Sequence, residues 1–170
     1  PFMPDEELVS QMTRVYPTEW FSMPAFALET PALRVITVPA MGAKIVSIFD
    51  RITEREWLLA PKPGRFRPVA YGSAFVEQDM SGWDEMFPTI DHCSYPVAGA
   101  YFGVELPDHG EVWSLAWKHE ESTPDVLRLT VQGRALPYML SRTISIVDER
   151  RLCLSYEVVN MGAEPLSVLW

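Results

Sequence analysis

Proline and glycine recur at short intervals along this chain, and they limit the elements that it can form. The 170 residues include 15 prolines and 9 glycines. Proline inside a helix removes a backbone donor and clashes with the preceding turn, and glycine weakens helices and strands alike. Long helices are therefore excluded, and the chain is expected to fold from short strands joined by turns.

Short runs rich in β-branched and aromatic residues lie between these breaks. The predicted strands are residues 33–38, 44–49, 126–131, 141–147 and 152–159, with residues 56–59 as a shorter candidate. The pair 141–147 and 152–159 flanks a polar turn and predicts a hairpin. Strands that follow one another at such intervals predict an all-β fold of antiparallel sheets packed as a sandwich.

The start of the chain carries a different pattern. Leu8, Met12 and Val15 recur at helical spacing after an acidic run at residues 5–7, and acidic residues favour a helix N-terminus. This predicts either a short helix or a loosely ordered lead-in. We therefore expect a lead-in over residues 1–30 and one sandwich domain over residues 31–170.

The charge balance excludes several classes of partner. The formal net charge is −9, from 23 acidic and 14 basic residues. Such a surface repels nucleic-acid phosphates and anionic lipid headgroups. No apolar run is long enough to cross a bilayer, and the first residues lack the basic flank and apolar stretch of a secretory signal. The sequence thus predicts a cytoplasmic protein with no nucleic-acid or membrane partner.

The two cysteines, Cys93 and Cys153, are too few for a disulfide framework in a chain of this size. We expect two reduced, partly buried thiols, with Cys153 as a small packed side chain between Leu152 and Leu154. The sequence also lacks a glycine-rich phosphate loop, paired-cysteine metal motifs and the common zinc-hydrolase and serine-hydrolase motifs. It therefore predicts no metal ion and no organic cofactor.

Two segments combine carboxylates with tryptophan, namely residues 82–90 and 106–113. Aromatic rings cover the C–H face of a sugar, while carboxylates and imidazole bond its hydroxyl groups. This pattern predicts Asp84, Glu85 and Trp113 as substrate-binding residues and His109 as the candidate catalytic residue.

Each candidate has a structural alternative. If their segment is a strand, Asp84 and Glu85 face opposite ways, so that at most one points into a cleft; both could instead cap loop amides. If residues 111–117 form a strand, Trp113 belongs to the core. His109 could bond a backbone carbonyl only, and His92 and His119 are assigned that kind of structural role. Asp108 and Glu111, which flank His109, either tune its pKa or fill the turn.

These segments, taken in order, resemble the aldose 1-epimerase (galactose mutarotase-like) family. The similar features are Pro107 with His109-Gly110 and a later tryptophan, the upstream Gly82 with Phe87-Pro88, and a strand followed by Asn160-Met161-Gly162. The resemblance covers residues 30–170. It implies an antiparallel supersandwich of which this chain supplies about half, and an activity that interconverts the α and β anomers of a free hexose.

The resemblance also implies a role for His109, which would contact the sugar and assist proton delivery. The family's second histidine and its glutamate base would lie in the half that is absent. We therefore expect that the 170-residue chain shows no mutarotase activity by polarimetry.

The chain departs from the sugar-phosphate members of this fold. The positions where those members carry arginine hold Val112, Trp113 and Ser114 after the histidine, and Met80 and Ser81 before Gly82. The absence of these arginines favours a free aldose over a phosphorylated one, unless Arg65 and Arg67 substitute.

Two alternatives to the isomerase stay open. One is a non-catalytic carbohydrate-binding module on the same sandwich, and the other is an interaction domain that binds no sugar.

The apolar run at residues 165–170 bears on the organisation of the protein, because an exposed strand of this kind invites aggregation. We expect further chain to follow it, and we expect self-association through the strand edge when it is exposed.

Overall fold

The computed structural model of the chain describes residues 13–170. Within them, strands and irregular segments are interrupted only by two one-turn 3-10 helices, Pro39–Met41 and Phe75–Glu77. None of the helical segments in this range has the length and apolar character needed to traverse a bilayer.

The first sheet contains the first five strands in chain order, each antiparallel to the next. They are β1 (Arg14–Trp20), β2 (Met23–Glu29), β3 (Leu33–Val38), β4 (Lys44–Asp50) and β5 (Arg55–Glu56). The 3-10 helix at Pro39–Met41 joins β3 to β4, where Gly42 takes a left-handed conformation with φ of 67°.

A long irregular segment separates this sheet from the second one. It contains the two-residue strands β6 (Cys93–Ser94) and β7 (Glu105–Leu106), which pair with each other. The second sheet then has the order β11-β10-β9-β8. Its strands are β8 (Lys118–Thr123), β9 (Val126–Gln132), β10 (Tyr138–Asp148) and β11 (Arg151–Asn160).

The core lies between the two sheets. Val35 and Ile45 of the first sheet share one buried cluster with Leu127, Leu129 and Ile144 of the second. Side chains alternate between the two faces of a strand, so one apolar face from each sheet is removed from water. This confirms the predicted antiparallel sandwich.

Several predicted strands match the observed ones closely. β3 has the predicted bounds, and β4, β9 and the β10–β11 hairpin contain the predicted runs. In the candidate strand 56–59 only Glu56 is part of β5. Residues 111–117 form a turn rather than a strand.

The N-terminal region differs from the expected lead-in. Residues 1–12, with Leu8 and Met12 of the expected helix, lie outside the described residues, whereas Val15 is part of β1. Residues 14–29 form two paired strands that join the first sheet. Pro17 lies in the edge strand β1, where a missing backbone donor is tolerated, and this proline obscured the strand pattern.

The two cysteines are free, as expected, but only Cys93 is partly buried. Cys153 is exposed while its neighbours Leu152 and Leu154 are half-buried. Adjacent side chains in a strand point to opposite faces. The prediction of a packed Cys153 was therefore wrong, because the two leucines take the inner face.

Candidate functional site

His109 and Gly110 form a tight turn before the second sheet. Both have left-handed backbone conformations, with φ of 59° and 73°. For a residue with a Cβ this conformation is unfavourable by about 1–2 kcal/mol, so the surroundings must hold it in place. The His109 amide donates to the carbonyl of Ile90 at 3.1 Å, and the Gly110 amide donates to that of Pro107 at 3.0 Å.

Glycine at position 110 brings the two tryptophan-containing segments together. A Cβ atom there would lie 2.3 Å from the carbonyl oxygen of Phe87. That same oxygen accepts a hydrogen bond of 2.9 Å from the Glu111 amide. Segments 82–90 and 106–113 are thus in direct backbone contact, and this contact fixes the position of His109.

The His109 side chain is held on two sides and remains partly accessible. Its ring stacks on Phe75 with a centroid distance of 4.3 Å and an interplanar angle of 12°. Its Nδ1 lies 2.6 Å from Asp108 Oδ1, and about a quarter of the side chain is exposed (25%). A carboxylate can only accept a hydrogen bond, so Nδ1 carries the proton and Nε2 is the ring nitrogen that keeps a free lone pair.

Asp108 is itself oriented by the 3-10 helix at Phe75–Glu77. The Phe75 amide donates to Asp108 Oδ2 at 2.9 Å. That amide, and then the hydrogen bond from His109, lower the pKa of Asp108. Asp108 therefore stays ionised near neutral pH and can accept the hydrogen bond from the imidazole.

Glu111 fills the turn, and its carboxylate is hydrogen-bonded to groups other than His109. Its carboxylate is fully buried and accepts hydrogen bonds from the amides of Arg134 at 3.1 Å and Ala135 at 2.9 Å, and from the Tyr71 hydroxyl at 2.9 Å. Burial and then this hydrogen bond raise the pKa of Tyr71. Of the two flanking carboxylates, Asp108 contacts the imidazole and Glu111 anchors the turn.

A second polar cluster lies around Lys44, the first residue of β4. Its ammonium lies 3.1 Å from Asp79 Oδ2 and 3.0 Å from Asp84 Oδ2. The three side chains are 3%, 4% and 5% exposed. A buried lysine needs this kind of compensation, because desolvation of an unpaired charge is very unfavourable.

Asp84 has the most perturbed carboxyl group of this cluster. Burial raises its pKa to about 6, although the attraction of Lys44 acts in the opposite direction; the nearby Asp79 and Glu85 charges raise it further. Among residues 13–170, no hydrogen-bond partner faces its buried Oδ1 atom.

Asp84 and Trp113 line the same cleft. Lys44, Asp79 and Asp84 give it a polar wall, and Met41, Val69 and Trp113 give it an apolar one. Trp113 also belongs to the histidine turn, since its Nε1 donates to the carbonyls of Asp108 and Gly110 at 3.1 Å each. Its ring meets Phe75 edge-on at a centroid distance of 5.1 Å. His109 does not line the cleft, and Trp113 and Phe75 connect the two.

Glu85 is directed into the sandwich. Its Oε1 lies 3.2 Å from Arg142 Nη1 and also accepts a hydrogen bond from the Tyr156 hydroxyl. Arg142 is fully buried and donates to Thr37 Oγ1 at 3.1 Å and to the carbonyl of Ala43. Glu85 is thus part of an ion pair that links the two sheets, whereas Asp84 lines the cleft, although their segment is irregular and not the strand on which the prediction depended.

The other two histidines have partners of their own. His92 is 3.3 Å from Glu105 and largely exposed, and the His119 ring lies 4.5 Å from the ring of Phe26. Over residues 13–170, no three His, Cys, Asp or Glu side chains converge in a geometry that could hold a metal ion.

Sequence reasoning missed Lys44, Asp79 and Phe75. Lys44 carried a usable signal, because a charged residue begins an otherwise apolar strand and must find a buried counter-charge. Phe75 carried none, since an aromatic residue in an irregular segment has no periodic context. Its contact with His109 spans more than thirty residues.

Comparisons with known proteins identify the fold. A galactose mutarotase related enzyme from Lactobacillus acidophilus is 16% identical, with a TM-score of 0.59 over 80% of this chain and 43% of that chain. A protein from Synechocystis sp. is 16% identical, with a TM-score of 0.61 over 87% of this chain and 49% of that chain. The YeaD protein of Salmonella typhimurium is 16% identical, with a TM-score of 0.52 over 78% of this chain and 43% of that chain.

At this level of identity the likeness shows the fold alone. The chain has a galactose mutarotase-like antiparallel fold and spans less than half the length of these three proteins. No family model matches the chain, and no curated protein matches it by sequence.

Proposed function

We propose that this chain supplies one part of a site at which the α and β anomers of a free hexose are interconverted by acid and base catalysis. The observation that carries the proposal is the His109 imidazole. Asp108 holds its Nδ1 at 2.6 Å, and the ring is a quarter exposed rather than enclosed in the core. An oriented imidazole beside a carboxylate is a common arrangement for proton transfer.

The reaction needs two proton transfers. The sugar ring opens when the bond between the anomeric carbon and the ring oxygen breaks, with a proton delivered to the ring oxygen and another removed from the anomeric hydroxyl. His109 would exchange one of these protons through Nε2, because Asp108 stabilises the imidazolium that forms. The resemblance assigns the remaining acid and base groups, a second histidine and a glutamate, to the half that the chain does not supply.

Asp84 and Trp113 would contact the sugar from the cleft. A carboxylate accepts hydrogen bonds from hydroxyl groups, and an indole covers the C–H face of a pyranose. The acidic surface, with a net charge of −9, is compatible with a neutral ligand and disfavours polyanions. The proposed partner is therefore a free aldose.

A non-catalytic carbohydrate-binding module is the second candidate. The observation in its favour is that the cleft with Asp84 and Trp113 does not include His109. In that case sugar would bind against Trp113 without a proton donor at its anomeric carbon. Binding and turnover must therefore be measured separately.

The test uses the 170-residue chain and D-galactose and D-glucose, followed by tryptophan fluorescence. We expect saturable quenching by at least one hexose, and a loss of affinity of about threefold to tenfold in His109→Ala, as for one lost hydrogen bond. His119→Ala, which changes an exposed histidine in β8, is the matched control and is expected to bind like the wild type. Absence of quenching by either sugar would favour the interaction domain and overturn the proposal.

Polarimetry on the same preparation tests whether the site is incomplete. We expect no acceleration of mutarotation by the 170-residue chain. Measurable turnover would show that a second acid or base lies within it. In a longer protein that contains this segment, turnover that disappears in His109→Ala supports the isomerase, whereas binding without turnover supports the binding module.

A further inference from the structure

We propose that Lys44, Asp79 and Asp84 form a subsite for one neutral hydroxyl group of the bound ligand, with Asp84 Oδ1 as its hydrogen-bond acceptor and Lys44 as a positioning residue. This inference rests on the proposed sugar-binding function. It adds an accepting atom, a supporting lysine and a charge preference to the cleft.

The ammonium hydrogens of Lys44 already form hydrogen bonds within the protein. Its Nζ donates to the carbonyls of Asp79 and Ser81 at 2.9 Å each, and to Asp79 Oδ2 at 3.1 Å. An ammonium group has three hydrogens, and four acceptors of the protein, counting Asp84 Oδ2, already compete for them. Lys44 is therefore not available to bind a ligand phosphate, and its role is to hold the charge of Asp84, whose Oδ2 lies at 3.0 Å.

Asp84 presents an acceptor that the described part of the protein does not satisfy. Its side chain is 5% exposed and forms part of the cleft wall. Its Oδ1 atom is buried, and within residues 13–170 no donor reaches it. Buried polar atoms are almost always hydrogen-bonded, so an exception in a cleft wall indicates where a ligand donor would bind.

The charges around Oδ1 select the kind of donor. Asp79 and Asp84 carry two negative charges against the single positive charge of Lys44, so the cluster would repel an anionic group. A neutral hydroxyl group meets no such penalty. The apolar lining residues Met41, Val69 and Trp113 then suit the C–H groups of a carbohydrate.

Isothermal titration with D-galactose and each of its monodeoxy analogues tests the subsite. We expect Asp84→Ala to weaken galactose binding by about tenfold, the loss typical of one hydrogen bond to a charged group. One monodeoxy analogue, which lacks the hydroxyl that Asp84 binds, should bind the wild type about tenfold more weakly than galactose does. Asp84→Ala should bind this analogue and galactose with equal affinity. Asp125→Asn, which changes an exposed carboxylate, is the control and should bind like the wild type.

Asp84→Asn serves if the alanine variant does not fold, because it keeps the shape of the side chain and removes its charge. The subsite would be overturned if, for every analogue, the losses of binding free energy from the Asp84 substitution and from the missing hydroxyl simply added. Unchanged galactose affinity in both Asp84 variants would also overturn it. If His109→Ala still weakens binding in that case, the proposed function stands without it. If no hexose binds the wild type, both proposals fall.

The positioning role of Lys44 has its own readout, which is the pH profile of galactose affinity. In the wild type the affinity should fall as the pH drops below about 6, where Asp84 becomes protonated. Lys44→Met removes the cation that favours ionised Asp84, so the fall should begin at a higher pH, and Lys44→Arg should restore the original profile. An identical profile in Lys44→Met would show that the lysine is purely structural.

Discussion

Among the carboxyl groups described here, Asp84 has an environment far from that of an ordinary surface carboxylate. Its pKa in the folded chain is raised from 3.8 to about 6, first by burial and only partly offset by Lys44. Between these two pH values the folded state holds a proton that the unfolded chain has released. The free energy of unfolding therefore falls as the pH rises through this window.

Replacing Asp84 by asparagine should consequently stabilise the protein at neutral pH. A difference of about 2 pKa units corresponds to about 3 kcal/mol at pH 7.5, and the gain should vanish at about pH 2.5, where the carboxyl group is protonated in both states. Urea denaturation of the wild type and Asp84→Asn at both pH values measures it, with Asp125→Asn as an exposed control that changes little. A less stable Asp84→Asn at pH 7.5 would show that the attraction of Lys44 outweighs burial.

Residue types predicted much of the site but not how its parts are joined. The sequence identified His109, Asp84 and Trp113 because imidazole, carboxylate and indole are the groups that bind hydroxyls and C–H faces. It also identified Glu85, which forms an ion pair with Arg142 in the structure. Which of two adjacent carboxylates faces a cleft depends on the partner across the core, and that partner lies 57 positions away in the sequence.

At the scale of elements, the turn that carries His109 depends on the contact between Gly110 and Phe87. Gly103 provides a matched comparison, since it also has a positive φ, of 77°, but a Cβ atom there would meet nothing within 4 Å. At Gly110 a Cβ would lie 2.3 Å from the Phe87 carbonyl oxygen. Backbone strain alone acts at Gly103, whereas strain and a steric clash with a backbone atom act together at Gly110.

Gly103→Ala should therefore lower the free energy of unfolding by about 1 kcal/mol, the value for an L-residue in the left-handed region. Gly110→Ala should lower it by at least about 3 kcal/mol, because segments 82–90 and 106–113 must separate. Chemical denaturation of the two variants side by side gives the comparison. Equal losses would mean that the turn relaxes without disturbing Phe87.

The elements themselves were predictable where side chains alternate. β3, β9 and the β10–β11 hairpin follow apolar alternation, and their bounds agree with the prediction to within a few residues. β1 and β2 were not predicted, because Pro17 and Pro24 interrupt the pattern of strands whose pairing tolerates them. The irregular segment between β5 and β8 offers no periodicity, and its path is set by long-range contacts such as that of Phe87 with Gly110.

At the scale of the whole molecule, the chain forms two sheets with a shared core, yet it spans less than half the length of the structures that it matches. One edge of the second sheet is β11, whose outer residues Val158 and Val159 are exposed and apolar. Strand alternation predicted the sandwich from the sequence. The packing of one sheet on the other could not be predicted, since it depends on groups such as Arg142 that reach across the core.

The central claim is that the His109 imidazole meets the sugar through Nε2, and proton NMR of the histidine rings tests it directly. The chain has only 3 histidines, so a His109→Gln variant assigns the His109 signal by its disappearance. On saturation with D-galactose, the Cε1 proton of His109 should shift and its titration midpoint should change, while the signals of His92 and His119 stay in place. A His109 signal that does not respond to saturating sugar, or a response shared equally by all three rings, would contradict the account.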